Sequence, residues 1–207
     1  MPADELQTKG ERTRQIVMDA AYSLFLEYGY TATSMRQIAE RAELALGGIY
    51  NHFASKEDIF QALINEKHPL LRIFPNLERA PGSSIEEFVH NAARLVKAEM
   101  GHDPNILNLM FIEIVEFKGK HLPGLIEKIF PMAIPLMQSF STPENNVRAD
   151  FQSQKLLRIL IGNILAFYLT ELILAGPGTP PGLQDISLDD FLEVFLHGIL
   201  EVKQSEA

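Results

Sequence analysis

Cysteine is absent from the 207 residues. That excludes disulfides and thiolate chemistry, and an intracellular, reducing setting fits. Positive charge is scarce: 18 Lys and Arg stand against 27 Asp and Glu, a formal net charge of −9, so the chain as a whole does not advertise nucleic-acid binding. The opening MPADELQTKGER has no apolar core and does not read as a signal peptide. No long apolar run is free of polar interruption. The longest, residues 156–174, contains Arg158, Asn163 and Glu171, each costly at bilayer depth, so it reads as a buried helix or a subunit interface and no membrane is expected as a partner. No stretch alternates cleanly as a strand would, and there is no internal repeat or low-complexity tract. No Ser/His/Asp set, glycine-rich phosphate loop or cysteine nucleophile is present. The expectation is a cytoplasmic protein that is not an enzyme and carries neither cofactor nor metal.

What is present is helical. A hydrophobic share of 46% with 22% charged residues describes a globular chain of one or two domains. Residues 11–28 place Val17, Ala20, Ala21, Leu24, Phe25 and Tyr28 on one face, with Gly29 as a stop. Residues 56–67 are capped by Ser55 and bury Ile59, Phe60, Leu63 and Ile64, and His68-Pro69 ends or kinks that helix. After the Pro81-Gly82 break, Ser84 with Glu87 reads as a capping box for a helix to about residue 100. Another helix runs over 104–117 with Pro104 at its first position, and the turn GKHLPG leads into 122–140, kinked or broken at Pro131 and Pro135. Residues 146–175 form a long helix, apolar nearly all round after residue 156, and Ser187 with Asp190 opens a last one ending near 203. The fold expected is all-α: about nine helices, an N-terminal three-helix domain and a larger C-terminal helical bundle.

The stretch that organises the chain is TSMRQIAERAELALGGIYNHFASK, residues 33–56. Met35, Ile38 and Ala39 form an i, i+3, i+4 apolar stripe that leaves Arg36, Gln37, Glu40 and Arg41 outside. Ser34 with Gln37 reads as a capping box, with Thr33 as the competing N-cap. A turn at residues 42–44 precedes a second short helix over about 45–51. Leu44, Ile49 and Phe53 are its buried set, and Gly47 would allow a neighbouring helix to approach. Two helices joined by a turn of about three residues match the helix-turn-helix, whose second helix enters a DNA major groove.

By itself that pattern is common in small bundles. Its residue order is more particular. Thr33-Ser34-Met35-Arg36-x-Ile38-Ala39, then Ala42, Gly47-x-Ile49-Tyr50-x-His52-Phe53 and Ser55-Lys56-Glu57-Asp58 resemble the DNA-binding domain of the TetR/AcrR family of bacterial transcriptional regulators over about residues 12–60. The resemblance implies a DNA-binding domain over 1–67 and an effector-binding and dimerisation domain over 68–207. It also implies that Thr33, Ser34 and Arg36 contact double-stranded DNA, that Tyr50 and His52 are a phosphate-contacting pair, and that Lys56 adds charge at a helix start. The plain alternative makes Tyr50 a core aromatic with a wet hydroxyl and His52 a surface imidazole.

The sequence departs from the family at several points. Glu43 stands where glycine is usual, and Ala45 replaces the usual Ser or Thr N-cap, removing a cap worth roughly 1 kcal/mol. Leu46 and Gly48 stand where polar or basic side chains often reach bases, which leaves Asn51 for adenine and Leu46 for a thymine methyl. Few direct base contacts, and reading by DNA shape, are expected. Residues 1–68 hold seven Lys/Arg against ten Asp/Glu, so the contacting face would rely on Arg36, Arg41, Lys56, Lys9, Arg12 and Arg14.

In the second half, aromatic and methionine residues read either as core or as an adaptable apolar cavity. The resemblance implies a cavity for a small, largely apolar effector, with Phe88, Met110, Phe117, Met132 and Phe167 as candidate contacts. Glu113 could orient a polar or cationic group there, although an ordinary surface carboxylate is the default reading. The resemblance further implies a homodimer through residues 146–175 and 187–203, acting as a ligand-released repressor on a palindromic operator. A different class is also open: Glu87/His90 and Glu99/His102 are Glu-x-x-His pairs, the spacing helical bundles use for paired metals. Both pairs fall on one helix, however, and solvated helix faces explain them as well.

Overall fold

The computed structural model describes residues 8–79, 82–103, 105–140, 145–183 and 185–200. Among them are ten α-helices and no strand, only an isolated bridge between Val147 and Leu200. The expected roles of Pro81 and Pro104 and the helix end near 203 lie outside the described residues. Packing groups residues 1–71 with 103–127 in one compact unit and 72–102 with 128–207 in another.

In the first unit, α1 (Lys9–Tyr28) begins in a capping box. Thr8 accepts from the Glu11 N–H, and the Glu11 carboxylate accepts from the Thr8 N–H. The helix buries Val17, Met18, Ala20, Ala21, Leu24 and Phe25, but Tyr28 at its last turn is exposed, contrary to the expected stripe. Gly29 ends it at φ +82. Helices α2 (Met35–Arg41), α3 (Leu46–Tyr50) and α4 (Lys56–Lys67) follow, and α1 packs against both α2 and α4. α4 is capped by Ser55 and buries Ile59, Phe60, Ala62, Leu63 and Ile64, which face the apolar side of α1.

Helix α7 (Ile106–Val115) also packs on α1. It ends where Lys118 and Gly119 take positive φ, and the Gly119 N–H donates to the Glu113 carbonyl. The following turn brings Phe117 onto Phe60, stacked at 4.7 Å, and edge-on to Tyr30 at the same distance. The Tyr22 hydroxyl donates to Asp103 at 2.6 Å and the Thr31 hydroxyl to Glu116 at 2.7 Å. Burying Phe60 alone stabilises the unit by about 1.5–3 kcal/mol.

α5 (Leu70–Arg79) is a helix that the sequence reading does not anticipate. Pro69 signals a stop to α4, yet a proline is equally at home just before a new helix. Pro75 stands inside α5 and forgoes one backbone hydrogen bond. α8 (Leu122–Phe140) is helical throughout and not broken at Pro131 or Pro135.

In the second unit, α10 (Leu188–Ile199) packs against α6 (Ile85–His102) and α9 (Ser153–Leu174). Leu192, Phe195, Leu196 and Ile199 from α10 join Phe88, Val89, Leu156 and Leu160 among the buried residues. Ser187 and Asp190 form the expected capping box. α9 starts at Ser153 rather than at 146. The Arg148 N–H donates to the Ile199 carbonyl and its guanidinium to that of Gly198, so this segment caps the end of α10 instead of continuing a helix. Several of α9's large apolar residues, Ile159, Ile161, Leu165, Leu172 and Ile173, are exposed on the single chain.

Candidate nucleic-acid interface

The head of the first unit is built around the turn between α2 and α3. Ser34 is the N-cap of α2 and shares a capping box with Gln37. Thr33, the competing cap, is 2% exposed and its hydroxyl donates to the Gly29 carbonyl at 2.8 Å. Ala42 closes α2, Glu43 takes φ +56, and the Leu44 N–H reaches back to the Ala39 carbonyl. Thus the left-handed turn that glycine would make is made here by glutamate, against a steric cost of roughly 1–2 kcal/mol. α3 begins without a side-chain cap, as Ala45 dictates.

Ile38, Ala39, Ile49 and Phe53 are buried beneath this head. Ser34, Arg36, Ala45, Leu46, Tyr50 and Asn51 are exposed, while Gly48 and His52 are half-buried. Tyr50, at 51% exposure, is therefore no core aromatic. A Cβ added at Gly47 or Gly48 would meet nothing within 4 Å, so Gly47 is not a helix-packing contact as expected but a patch of open backbone. Two of the expected DNA contacts point elsewhere. Thr33 is internal, for its hydroxyl is already committed to the end of α1. The Lys56 ammonium donates to the Tyr30 and Thr33 carbonyls and lies 4.1 Å from the Tyr30 ring centre. Burial holds the Lys56 ammonium below its usual pKa, and burial with the neighbouring Glu57 pushes the Tyr30 phenol up to about 12.

The same accounting changes which cations are available. Arg14 makes a bidentate pair with Glu66, Arg41 is bonded to Ser23 and Glu27, and Lys67 to Asp19. These tie helices together and do not face a ligand. Arg36 pairs with Glu40 at i, i+4, fully in solvent, an interaction of about 0.2–0.5 kcal/mol that a phosphate easily displaces. Lys9 and Arg12, exposed on the first turns of α1, have no partner among the described residues. A Cβ on Gly10, between them, would stand 4.0 Å from the His52 ring. The start of α1, which carries the exposed Lys9 and Arg12, therefore lies beside His52 just after α3. With Ser34, Arg36, Tyr50 and Asn51 this makes a face able to hold phosphates and to offer few base contacts.

The other candidates fall in different places. In the first unit Met110 is half-buried, Phe117 is stacked on Phe60, and Glu113 is fully buried, not a surface carboxylate. Glu113 accepts from the His121 backbone N–H at 2.7 Å and stands 2.8 Å from its Nδ1. His121, read in the sequence only as part of a turn, is the group that the sequence reading misses, and only a contact eight residues away reveals it. In the second unit Phe88 is core, while Met132 and Phe167 are half-buried, Phe167 packing edge-on against Phe191. The Glu-x-x-His pairs are engaged otherwise: Glu87 accepts from Ser83 as a helix cap and Glu99 from Arg72. Among the described residues no group of three His, Asp or Glu is placed to hold a metal.

Residues 17–63 match the profile of bacterial regulatory proteins of the tetR family. The chain is 30% identical over 125 residues to TtgW, an uncharacterized HTH-type transcriptional regulator of Pseudomonas putida, covering 60% of this chain and 87% of TtgW. Two other curated relatives are matched over only 55% and 22% of their own lengths. Among solved structures, NalD, the secondary repressor of the MexAB-OprM multidrug efflux pump in Pseudomonas aeruginosa, superposes with a TM-score of 0.69 at 21% identity, over 93% of this chain and 99% of NalD. FadR of Bacillus subtilis, a transcriptional regulator solved with stearoyl-CoA, gives 0.69 at 19% identity, over 89% of this chain and 98% of FadR. At those identities the likeness to solved structures is one of fold.

Proposed function

The chain belongs to the TetR family of bacterial regulatory proteins, and from that premise we propose that it is a cytoplasmic transcriptional regulator, not an enzyme, that represses by binding a palindromic operator as a homodimer and is released by a small, largely apolar effector. The observation that carries this reading is the exposed face of the head. Ser34, Arg36, Leu46, Tyr50 and Asn51 stand outside a buried Ile38–Ile49–Phe53 layer, with Lys9, Arg12 and His52 at its edge. The dimer is supported by α9. This helix is long and apolar enough to cross a membrane, and only 11% of its apolar 18-residue stretch is buried within the chain. Arg158, Asn163 and Glu171 make lipid a poor cover for it, whereas a second copy using α9 and α10 would bury the apolar side chains. Two reading helices related by such a two-fold would fall on successive major grooves, about 34–36 Å apart.

Repression and an apolar effector follow by analogy with NalD, a repressor, and with FadR, seen with stearoyl-CoA. In the second unit Met132 and Phe167 are the first side chains to test for effector contact. The test of the head is a titration of the purified protein against a fluorescent duplex at low and moderate salt. Binding that Tyr50→Ala and Arg36→Ala both weaken supports the assignment of this face. Binding unchanged in both variants refutes it.

A further inference from the structure

The buried His121 has no place in the reading above. It lies in the turn between α7 and α8 and is 3% exposed. Its Nδ1 stands 2.8 Å from Glu113 Oε2 and its Nε2 3.3 Å from Glu57 Oε1. Carboxyl oxygens stand at both ring nitrogens, so the imidazole bridges Glu113 and Glu57. Glu113 also receives the His121 backbone N–H, so the ring is anchored at that end. Phe60 and Phe117 wall it at ring-centre distances of 5.7 and 4.6 Å. The far end is Glu57, in the first turn of α4 and bonded as well to Lys120. That turn begins at Ser55, five residues after the last residue of α3.

We propose that His121 is a positioning residue for the DNA-binding head: its ring, held between the buried Glu113 and Glu57, ties the first turn of α4 to the end of α7 and so fixes the α3–α4 segment. The proposal rests on the DNA-binding reading.

The test uses the full chain with and without His121→Gln and Glu57→Gln. Hydrogen exchange of amides 55–60, measured without DNA at one pH in all three proteins, reads the tie directly. Both variants are expected to lose protection at these amides about tenfold relative to wild type, the size of one charge-assisted hydrogen bond, with exchange of the α1 amides unchanged. Binding of a mixed-sequence duplex at low salt should weaken in His121→Gln. Equal exchange at 55–60 in all three proteins overturns the proposal, and so does duplex binding unchanged in His121→Gln. Glu57→Gln alters a half-exposed side chain and keeps the test open if His121→Gln does not fold. Should wild type bind no duplex, the DNA reading fails, while exchange at 55–60 still decides the tie.

Discussion

Glu43 holds φ +56 in the turn between α2 and α3, with its side chain in solvent. Glycine there would relieve roughly 1–2 kcal/mol of left-handed strain and add about 0.5–1 kcal/mol of freedom to the unfolded chain. Glu43→Gly should therefore raise the unfolding free energy by about 0.5–1 kcal/mol in denaturant titrations. Glu43→Gln should leave it unchanged, and both should tighten duplex binding by removing a negative charge from the head. Equal stability of the two variants would mean the turn is not strained. Lys56 and Arg12 are separated by a similar contrast. Lys56→Met leaves the Tyr30 and Thr33 carbonyls without their donor and should destabilise the protein by about 1–3 kcal/mol without altering the salt slope of binding. Arg12→Ala should leave stability alone and reduce that slope by about one. The converse pattern would restore Lys56 to the phosphate-contacting set. At this scale the sequence shows which residue types are present but not where they point. Tyr50 and Arg36 are outside as the pattern implies, whereas Thr33 and Lys56 turn inward because unpaired carbonyls and a loop hydroxyl partner lie within reach.

Among the elements, those with local signals are legible from sequence. The capping boxes Ser34/Gln37 and Ser187/Asp190 start α2 and α10 where they stand, and Gly29 ends α1. Elements fixed by distant contacts are not. α5 hides behind Pro69, and the start of α9 is moved from 146 to Ser153 by Arg148 bonding the end of α10. The exposed apolar side of α9 carries its own prediction. Leu165→Glu should convert a dimer to a monomer, seen as a halved mass in light scattering, with helical circular dichroism unchanged. A wild-type monomer, or a variant dimer of equal strength, would remove α9 from the interface.

For the whole molecule, acidity shapes both stability and binding. Backbone and hydroxyl bonds from Thr8, Ser83 and Ser187 hold Glu11, Glu87 and Asp190 below the usual carboxylate range, and Lys120, then His121, does so for Glu57. Carboxyls whose pKa is lower folded than unfolded stabilise fully above the unfolded value and lose that contribution as pH falls through the folded one. The melting temperature should accordingly be level above about pH 5 and fall below about pH 4, less steeply in Asp190→Asn. A level melting temperature down to about pH 3 would contradict it. The all-α class and the family follow from the sequence because helix periodicity and the 33–56 motif are local. The grouping of 103–127 with the head, and the burial of Glu113 and His121 there, depend on tertiary packing that no local pattern records.

A net charge of −9, with Lys9, Arg12 and Arg36 the exposed cations that no inter-helix bond engages among the described residues of the head, makes DNA recognition the claim most in need of measurement. Selection of bound duplexes from a random library by the purified protein at low salt tests it directly. The account predicts enrichment of a palindrome whose half-sites are centred about one helical turn apart, with thymine or adenine where Leu46 and Asn51 would reach. A library that emerges unenriched, from protein shown to be folded and dimeric, would contradict it.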